Sequence, residues 1–504
     1  MKRDANSTQE SGDARRPPGS AKAAASGPSP ESSATGAVVS GSLDLIGRFC
    51  EALAAEDVSY CHWKSTTTLD RAALGEGDLD LLVDRRRSQR FLEILRRLGF
   101  KEARGAREIP GVFHAFGLDA PSGKLVHVHA HYALVLGDDM TKNYRLPIES
   151  AYLGSARQGA VFRVPAPEYE LAVLVIRLVL KHAPWDAIVI GRGPLSAAER
   201  DELEDLTRRV PTPLVHDCVR THLPFVGESL WEDCRRALEP GAALWSRVRV
   251  ARRLEASLAS QGRRARAVDT WLKLSRRGSG FLARRLALRG RPRLRLDCGG
   301  ALIAIVGSDG AGKSTAAAAL HAWLARDLET VRLQLGNPSR SRVRGVEASP
   351  QGRMGVRPVA RLAWKVMQAR DRYREYVRAQ RLASGGALVI CDRFPIPGIR
   401  PKDGAVATRL LDEPGRGPLV RYLARLERSY HHRIRYPDIL IVLRVDPDIA
   451  VERRHDEENP DFVRRQAEEI WRLDLRDTPA SVLDAGRPRD EVLAEIKRSV
   501  WSSL

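Results

Sequence analysis

The nine residues Gly307-Ser-Asp-Gly-Ala-Gly-Lys-Ser-Thr315 fit the spacing G-x-x-x-x-G-K-[ST], whose chemistry is the capture of a polyphosphate. Gly307, Gly310 and Gly312 allow successive backbone N–H groups to curl around phosphate oxygens, with Ser308, Asp309 and Ala311 completing the turn. Lys313 is placed to reach the β- and γ-phosphates and the Ser314 hydroxyl to bind Mg²⁺. Thr315 falls in the first turn of a helix whose N-terminus adds partial positive charge. The ligand implied is ATP or GTP.

A second chemical pair, Asp392-Arg393, closes the apolar run Ala387-Leu-Val-Ile-Cys391. An acid at the carboxyl end of a strand beside a phosphate loop can hold Mg²⁺ through water. The adjacent guanidinium suits an acceptor phosphate gripped by two hydrogen bonds. Further on, Arg453 and Arg454 follow the run Pro437-Asp-Ile-Leu-Ile-Val-Leu-Arg-Val445, and Arg464 and Arg465 follow an Asn459-Pro460 break. As a group they suit either a solvated helix face or a lid that neutralises charge on a transferring phosphoryl group; singly, each reads as a solvated helix residue.

The amino-terminal part carries a different pattern. Trp63-Lys64-Ser65 is followed, thirteen positions after the serine, by Asp78-Leu-Asp80. Strand alternation puts both carboxylates on one face, roughly 7 Å apart at Cα, where they could share a divalent metal. His127, His129 and His131 recur at the same two-residue spacing. Three imidazoles on one face serve either as metal ligands or as hydrogen-bonded members of a half-buried strand.

These groups need elements to hold them. Ala301–Val306 reads as a buried strand leading into the phosphate loop, and Ala316–Leu324 as the helix after it. From Gly300 onward strands and helices alternate as in a parallel α/β sheet. The amino-terminal pattern is mixed α/β: helical spacing over Leu43–Leu53 and Ser88–Leu98, and strands at Val58–Trp63, Leu79–Val83 and Lys124–Tyr132. The expected organisation is a disordered tail (1–41), a mixed α/β module (42–150), a helical region (151–245, clearest at Glu168–Leu180), a basic helical connector (246–297) and a phosphate-loop domain (298–504).

Composition bounds the partners. The 504 residues carry a formal charge of +20 with 83 Lys+Arg, favouring anionic ligands such as phosphates, nucleic acid or acidic lipid. Between Arg247 and Asp297 there are 16 basic and 3 acidic residues, interleaved with Leu254, Leu258, Trp271, Leu286 and Leu288. That stretch reads either as a solvated connector or as a docking surface for anionic membrane or nucleic acid. The longest apolar runs, such as Leu171–Ile176, are six residues, against the roughly 20 a bilayer requires. With no charged-then-apolar leader and six scattered Cys, a cytoplasmic protein with reduced thiols is expected.

The segments GSDGAGKST, CDRF and PDILIVLRV, the Arg-rich helix after them and the terminal VLDAGRPRDEVLAEI together resemble the thymidylate kinase family over about residues 300–504. That resemblance implies a P-loop NTPase fold in which a parallel sheet is flanked by helices. The activity it implies is Mg²⁺-dependent transfer of the ATP γ-phosphoryl to a nucleoside monophosphate. It would put Asp309 on the acceptor sugar and Arg393 on its phosphate, with Arg453, Arg454 and Arg464 in the lid. Where the family has Arg-Glu-Pro-Gly, this chain reads Leu335-Gly-Asn-Pro-Ser339, and after Phe394 it lacks the Ser…Ala-Tyr-Gln segment that would line a base. The acceptor is therefore open, with dTMP the first candidate. Residues 43–150 more loosely resemble the nucleotidyltransferase fold, in which Asp78 and Asp80 would be the paired metal acids; the strand expected to bring a third acid carries the histidines instead, so a degenerate, non-catalytic module is expected ahead of an active one. Two other readings remain: an ATP-switched regulatory or assembly protein, and a bifunctional nucleotidyltransferase-kinase.

Overall fold

The computed structural model describes residues 41–64, 68–105, 109, 111–285, 293–335, 358–395, 417–454, 459–476 and 478–504. The expected tail up to residue 40, Ser65, Leu286, Leu288, the turn at 336–339 and the segment 396–404 lie outside them.

The carboxyl-terminal half is a five-stranded, wholly parallel sheet flanked by helices. Its spatial order is Thr330–Gln334, Leu388–Asp392, Ala301–Gly307, Ile439–Arg444, Ala480–Asp484. The phosphate-loop strand is thus central, paired on both sides and buried from Ala301 to Val306, which is why it reads as continuous apolar sequence. The helix Lys313–Leu324 packs Ala316, Ala317, Leu320 and Leu324 into the core on one side. The 27-residue helix Pro358–Ser384 supplies Tyr376, Ala379 and Ala383 on the other. The fold class read from the sequence, α/β with a P-loop NTPase-like parallel sheet, is the one observed.

The amino-terminal sheet is mixed. In spatial order its strands are Tyr60–His62, Asp78–Val83, Lys124–His131, Val112–Asp119, Lys101–Arg104 and Arg295–Leu296. Only Asp78–Val83 and Lys124–His131 run parallel; every other pair is antiparallel. One face is apolar: Leu79, Leu81, Val126 and Val128 pack under Phe49 and Leu53 of the helix Asp44–Ala55 and Phe91 and Ile94 of the helix Ser88–Arg97. Alternation therefore turns Asp78, Asp80, His127, His129 and His131 to the opposite face.

That opposite face is covered in two places. Leu82 joins the core of the helical region, centred on the almost wholly buried helix Pro167–His182. Phe116 and Leu125 join the core of the phosphate-loop half, alongside Leu320, Val500 and Trp501. The two sheets thus share apolar packing, reinforced where the Trp501 indole N–H donates to the Gly99 carbonyl at 3.2 Å. An open groove of about 640 Å³ runs along this seam, lined by Lys101, Leu118, Val482, Arg498 and Trp501 among others.

The basic stretch turns part of its charge inward. The helix Leu244–Ser257 buries Val250, Ala251 and Leu254 in the helical core. In the helix Arg266–Arg285, Lys273 and Asp269 form a buried ion pair at 2.9 Å, and Arg277 bridges Asp138 and Asp186. The outward face of that helix is instead apolar: Val268, Trp271, Leu274 and Leu282 are exposed. Spacing of roughly 100° per residue places these four within about a third of the helix circumference. No helix among the described residues is long and apolar enough to cross a membrane.

Candidate functional site

The phosphate loop has the backbone its sequence demands. Gly310 and Gly312 take φ of 85° and 81°, left-handed values that L side chains rarely adopt. A Cβ on Gly310 would also lie 2.6 Å from the Ala450 carbonyl, and one on Gly307 2.6 Å from that of Leu443. Gly312 caps the helix Lys313–Leu324, so the helix N-terminus opens on the loop. Lys313 folds back to donate to the Ser308 carbonyl at 2.7 Å and lies 3.5 Å from the Asp309 carboxylate. Burial pulls its pKa below that of an ordinary lysine, with Asp309 opposing the shift.

The second strand acid meets the loop as the sequence predicts. Parallel pairing sets Asp392 beside Ile305, and the Ser314 hydroxyl donates to its Oδ2 at 2.9 Å. Asp392 is 3% exposed, and its other oxygen, Oδ1, is buried with no hydrogen-bond partner. A buried carboxylate oxygen without a donor is costly unless a cation meets it. A hydroxyl and a carboxylate are oxygen donors of the kind Mg²⁺ prefers, so these residues fit that ion.

Arg393, next in sequence, is an exposed non-glycine residue at φ 58°, held between buried Asp392 and buried Phe394. Strain of this kind costs on the order of 1–3 kcal/mol and concentrates where a side chain must be aimed.

The lid arginines are less directly placed. Arg453 donates to the Ala485 carbonyl at 2.9 Å, Arg464 pairs with Asp448 at 2.5 Å, and Arg465 bonds the Asp461 carbonyl of its own helix. Arg454 is exposed and has an interaction of its own. The contact from this helix, Pro460–Trp471, to the loop is made by Gln466, whose Oε1 accepts the Asp309 N–H at 2.8 Å. Gln466 was not read from the sequence; its only signal was position, two residues beyond Arg464 on the same helix. Arg332 was missed as well. It reaches from the strand Thr330–Gln334 to within 3.4 Å of Asp392 Oδ2, a contact set by sheet order and not by local pattern.

On the amino-terminal sheet the paired acids are matched individually. Register places His127 opposite Asp78 and His129 opposite Asp80, and these pairs bond at 2.7 and 2.8 Å. Asp80 also meets the Lys64 ammonium at 2.7 Å and His131 Nε2 at 3.6 Å. Burial alone would raise the Asp80 pKa, but Lys64, His129 and His131 reverse the effect and hold it well below the carboxylate range. Burial depresses the pKa of Lys64, His129 and His131. His114, unnoticed in the sequence, stacks on His129 with centroids 4.5 Å apart.

No family model matches the chain. Two curated sequences, from Escherichia coli strains K12 and CFT073, carry the name uncharacterized ATP-binding protein YghR. Each is 27% identical over 227 residues, covering 40% of this chain and 86% of the relative. A thymidylate kinase from Candida albicans matches structurally at 19% identity and a TM-score of 0.27, covering 40% of this chain and 92% of that one. The chain is thus similar in sequence, over two-fifths of its length, to proteins named as ATP-binding.

Proposed function

We propose that the protein is an ATP- and Mg²⁺-dependent phosphotransferase that moves the γ-phosphoryl of ATP to a phosphorylated acceptor, in the manner of a nucleoside monophosphate kinase. The observation that carries this reading is Asp392: one buried oxygen holds Ser314 and the other faces no donor, beside a loop shaped for polyphosphate. The name borne by the E. coli relatives supports ATP as the nucleotide.

In this reading the amides of residues 308–312 and Lys313 bind the triphosphate, and Lys313 leaves the Ser308 carbonyl for the β- and γ-oxygens. Ser314 and Asp392 hold the ion, which when bound spreads the negative charge of the phosphates. Arg393 orients the acceptor phosphate. Arg453, Arg454 and Arg464 belong to the segment around Gln466, which touches the loop at Asp309 and must yield to the nucleotide. Positioning and charge stabilisation carry such reactions, so no general base is required of the chain.

Phosphoryl transfer from ATP, measured against a panel of nucleoside monophosphates and sugar phosphates with dTMP first, tests the proposal. Saturable ADP formation that requires one acceptor supports it; ATP turnover indifferent to every acceptor overturns it in favour of an ATP-driven switch. Lys273 and Arg277 are engaged within the fold, so docking of that switch through 246–297 would rest on exposed arginines such as Arg249, Arg252 and Arg253.

A further inference from the structure

The polar face of the amino-terminal sheet brings together a donor set that the phosphotransferase reading does not use. Asp80 Oδ1 lies 2.8 Å from His129 Nδ1 and 3.6 Å from His131 Nε2, and one donor atom from each of the three residues falls within 4.8 Å of the others. A tetrahedral zinc ion with bonds of roughly 2.0–2.2 Å needs donors about 3.3–3.6 Å apart, within a small adjustment of this arrangement. The donors sit on two neighbouring parallel strands, so backbone pairing fixes their spacing. His129 is braced by the stacked His114 ring, and His131, 5% exposed, by the edge of Trp63 at 5.0 Å.

The chemistry of the set narrows the ion. Two imidazoles and one carboxylate suit zinc and its neighbours among the divalent transition metals, whereas Mg²⁺ prefers oxygen alone. Asp78 stands outside the cluster: its side chain is 55% exposed and bonded to His127. The site is therefore not the pair of acids that the sequence suggested for a magnesium ion. One further group completes it. The Lys64 ammonium lies 2.7 Å from Asp80 Oδ1 and 3.4 Å from His131 Nε2, within reach of two of the three donors.

We propose that Asp80, His129 and His131 form a binding site for a zinc-type divalent transition metal, and that the Lys64 ammonium stands in for the ion when no metal is held. A carboxylate on this half-buried face needs a partner cation at all times. A lysine on a flexible stem can supply that charge and withdraw when a divalent ion arrives. Metal and ammonium then compete for the same position.

The test uses the full chain, stripped with a chelator, dialysed against micromolar zinc sulfate without nucleotide and analysed for bound metal. The expected result is one zinc per chain, with affinity weakened at least about tenfold in His129→Gln and in His131→Gln. In Lys64→Met, where the competitor is gone, zinc should bind about tenfold more tightly. Asp392→Asn should keep the full stoichiometry, which separates this site from the phosphate loop. The proposal is overturned if the unmutated chain retains no zinc, or if zinc binds both histidine variants undiminished. Unchanged affinity in folded Lys64→Met would equally overturn the stand-in role. If His131→Gln fails to fold, the unmutated chain and the more exposed His129→Gln decide the matter.

Discussion

The two sheets use the same device, a carboxylate carried on a strand of a parallel pair, and finish it differently. At Asp392 one oxygen accepts from Ser314 and lies 3.4 Å from the Arg332 guanidinium, while the other is buried without a donor, so half of the carboxylate is left open to a cation. At Asp80 a lysine and two histidines already surround the carboxylate. A buried acid in an apolar setting must have its charge answered. The lesson lies in how fully the chain answers it: at Asp80 a lysine and two histidines do so, whereas at Asp392 Ser314 and Arg332 answer one oxygen and leave the other bare.

The strongest way to break the comparison is Lys313→Ala. It should lower kcat/KM by on the order of 10²–10³-fold and remove the calorimetric signal of ATP binding. Activity at the wild-type level would show that the loop is not the reacting centre. Asp392→Asn should raise the Mg²⁺ concentration needed for half-maximal turnover and cut kcat by roughly 10²-fold; an unaltered magnesium titration would place the ion elsewhere.

At the other carboxylate the effect falls on stability. Asp80→Asn leaves Lys64 charged in a half-buried position, and chemical denaturation should show a loss of about 2–3 kcal/mol. A loss below about 0.5 kcal/mol would reduce the pair to an ordinary surface ion pair.

A control comes from a histidine near neither carboxylate. Burial, then Arg372 and His432, lowers the His431 pKa to about 4. Since the unfolded imidazole titrates near 6.5, the unfolded chain binds the extra proton first as pH falls. Stability is therefore lost from about pH 6.5 downward, and the loss is complete below the folded value. His431→Asn should flatten that decline by about 1 kcal/mol between pH 7 and 4 after allowance for solvent screening. An unchanged pH–stability curve would refute it. The smallest effect is expected at Gln466: Gln466→Ala frees the Asp309 amide and should change the KM for ATP by less than about threefold, with kcat nearly constant.

Local pattern revealed the chemistry that lies within one segment. The loop from Gly307 to Thr315, the buried strand before it and the acid at Asp392 each announce themselves through spacing and an apolar run. The register of Asp78 and Asp80 with the histidines was half legible: alternation placed both sets on faces, but only sheet pairing shows that His127 meets Asp78 and His129 meets Asp80. Arg332, Gln466 and His114 were not legible, because each acquires its role from an element distant in sequence. The strands Lys101–Arg104 and Arg295–Leu296 escaped for a related reason: Lys-Glu-Ala-Arg and Arg-Leu carry no periodicity, and pairing with neighbours alone makes them strands. The inward turn of Arg277 in the helix Arg266–Arg285 was hidden by composition, since its acidic partners Asp138 and Asp186 lie far away along the chain.

Arg295–Leu296 leaves the polypeptide just ahead of the phosphate-loop strand yet hydrogen-bonds to the other sheet, while Trp501, three residues before the last, plugs into the same boundary. A cut at 298 would therefore leave this edge strand with its own sheet yet bare an oily patch on both pieces. Neither piece made separately should behave as it does in the intact chain.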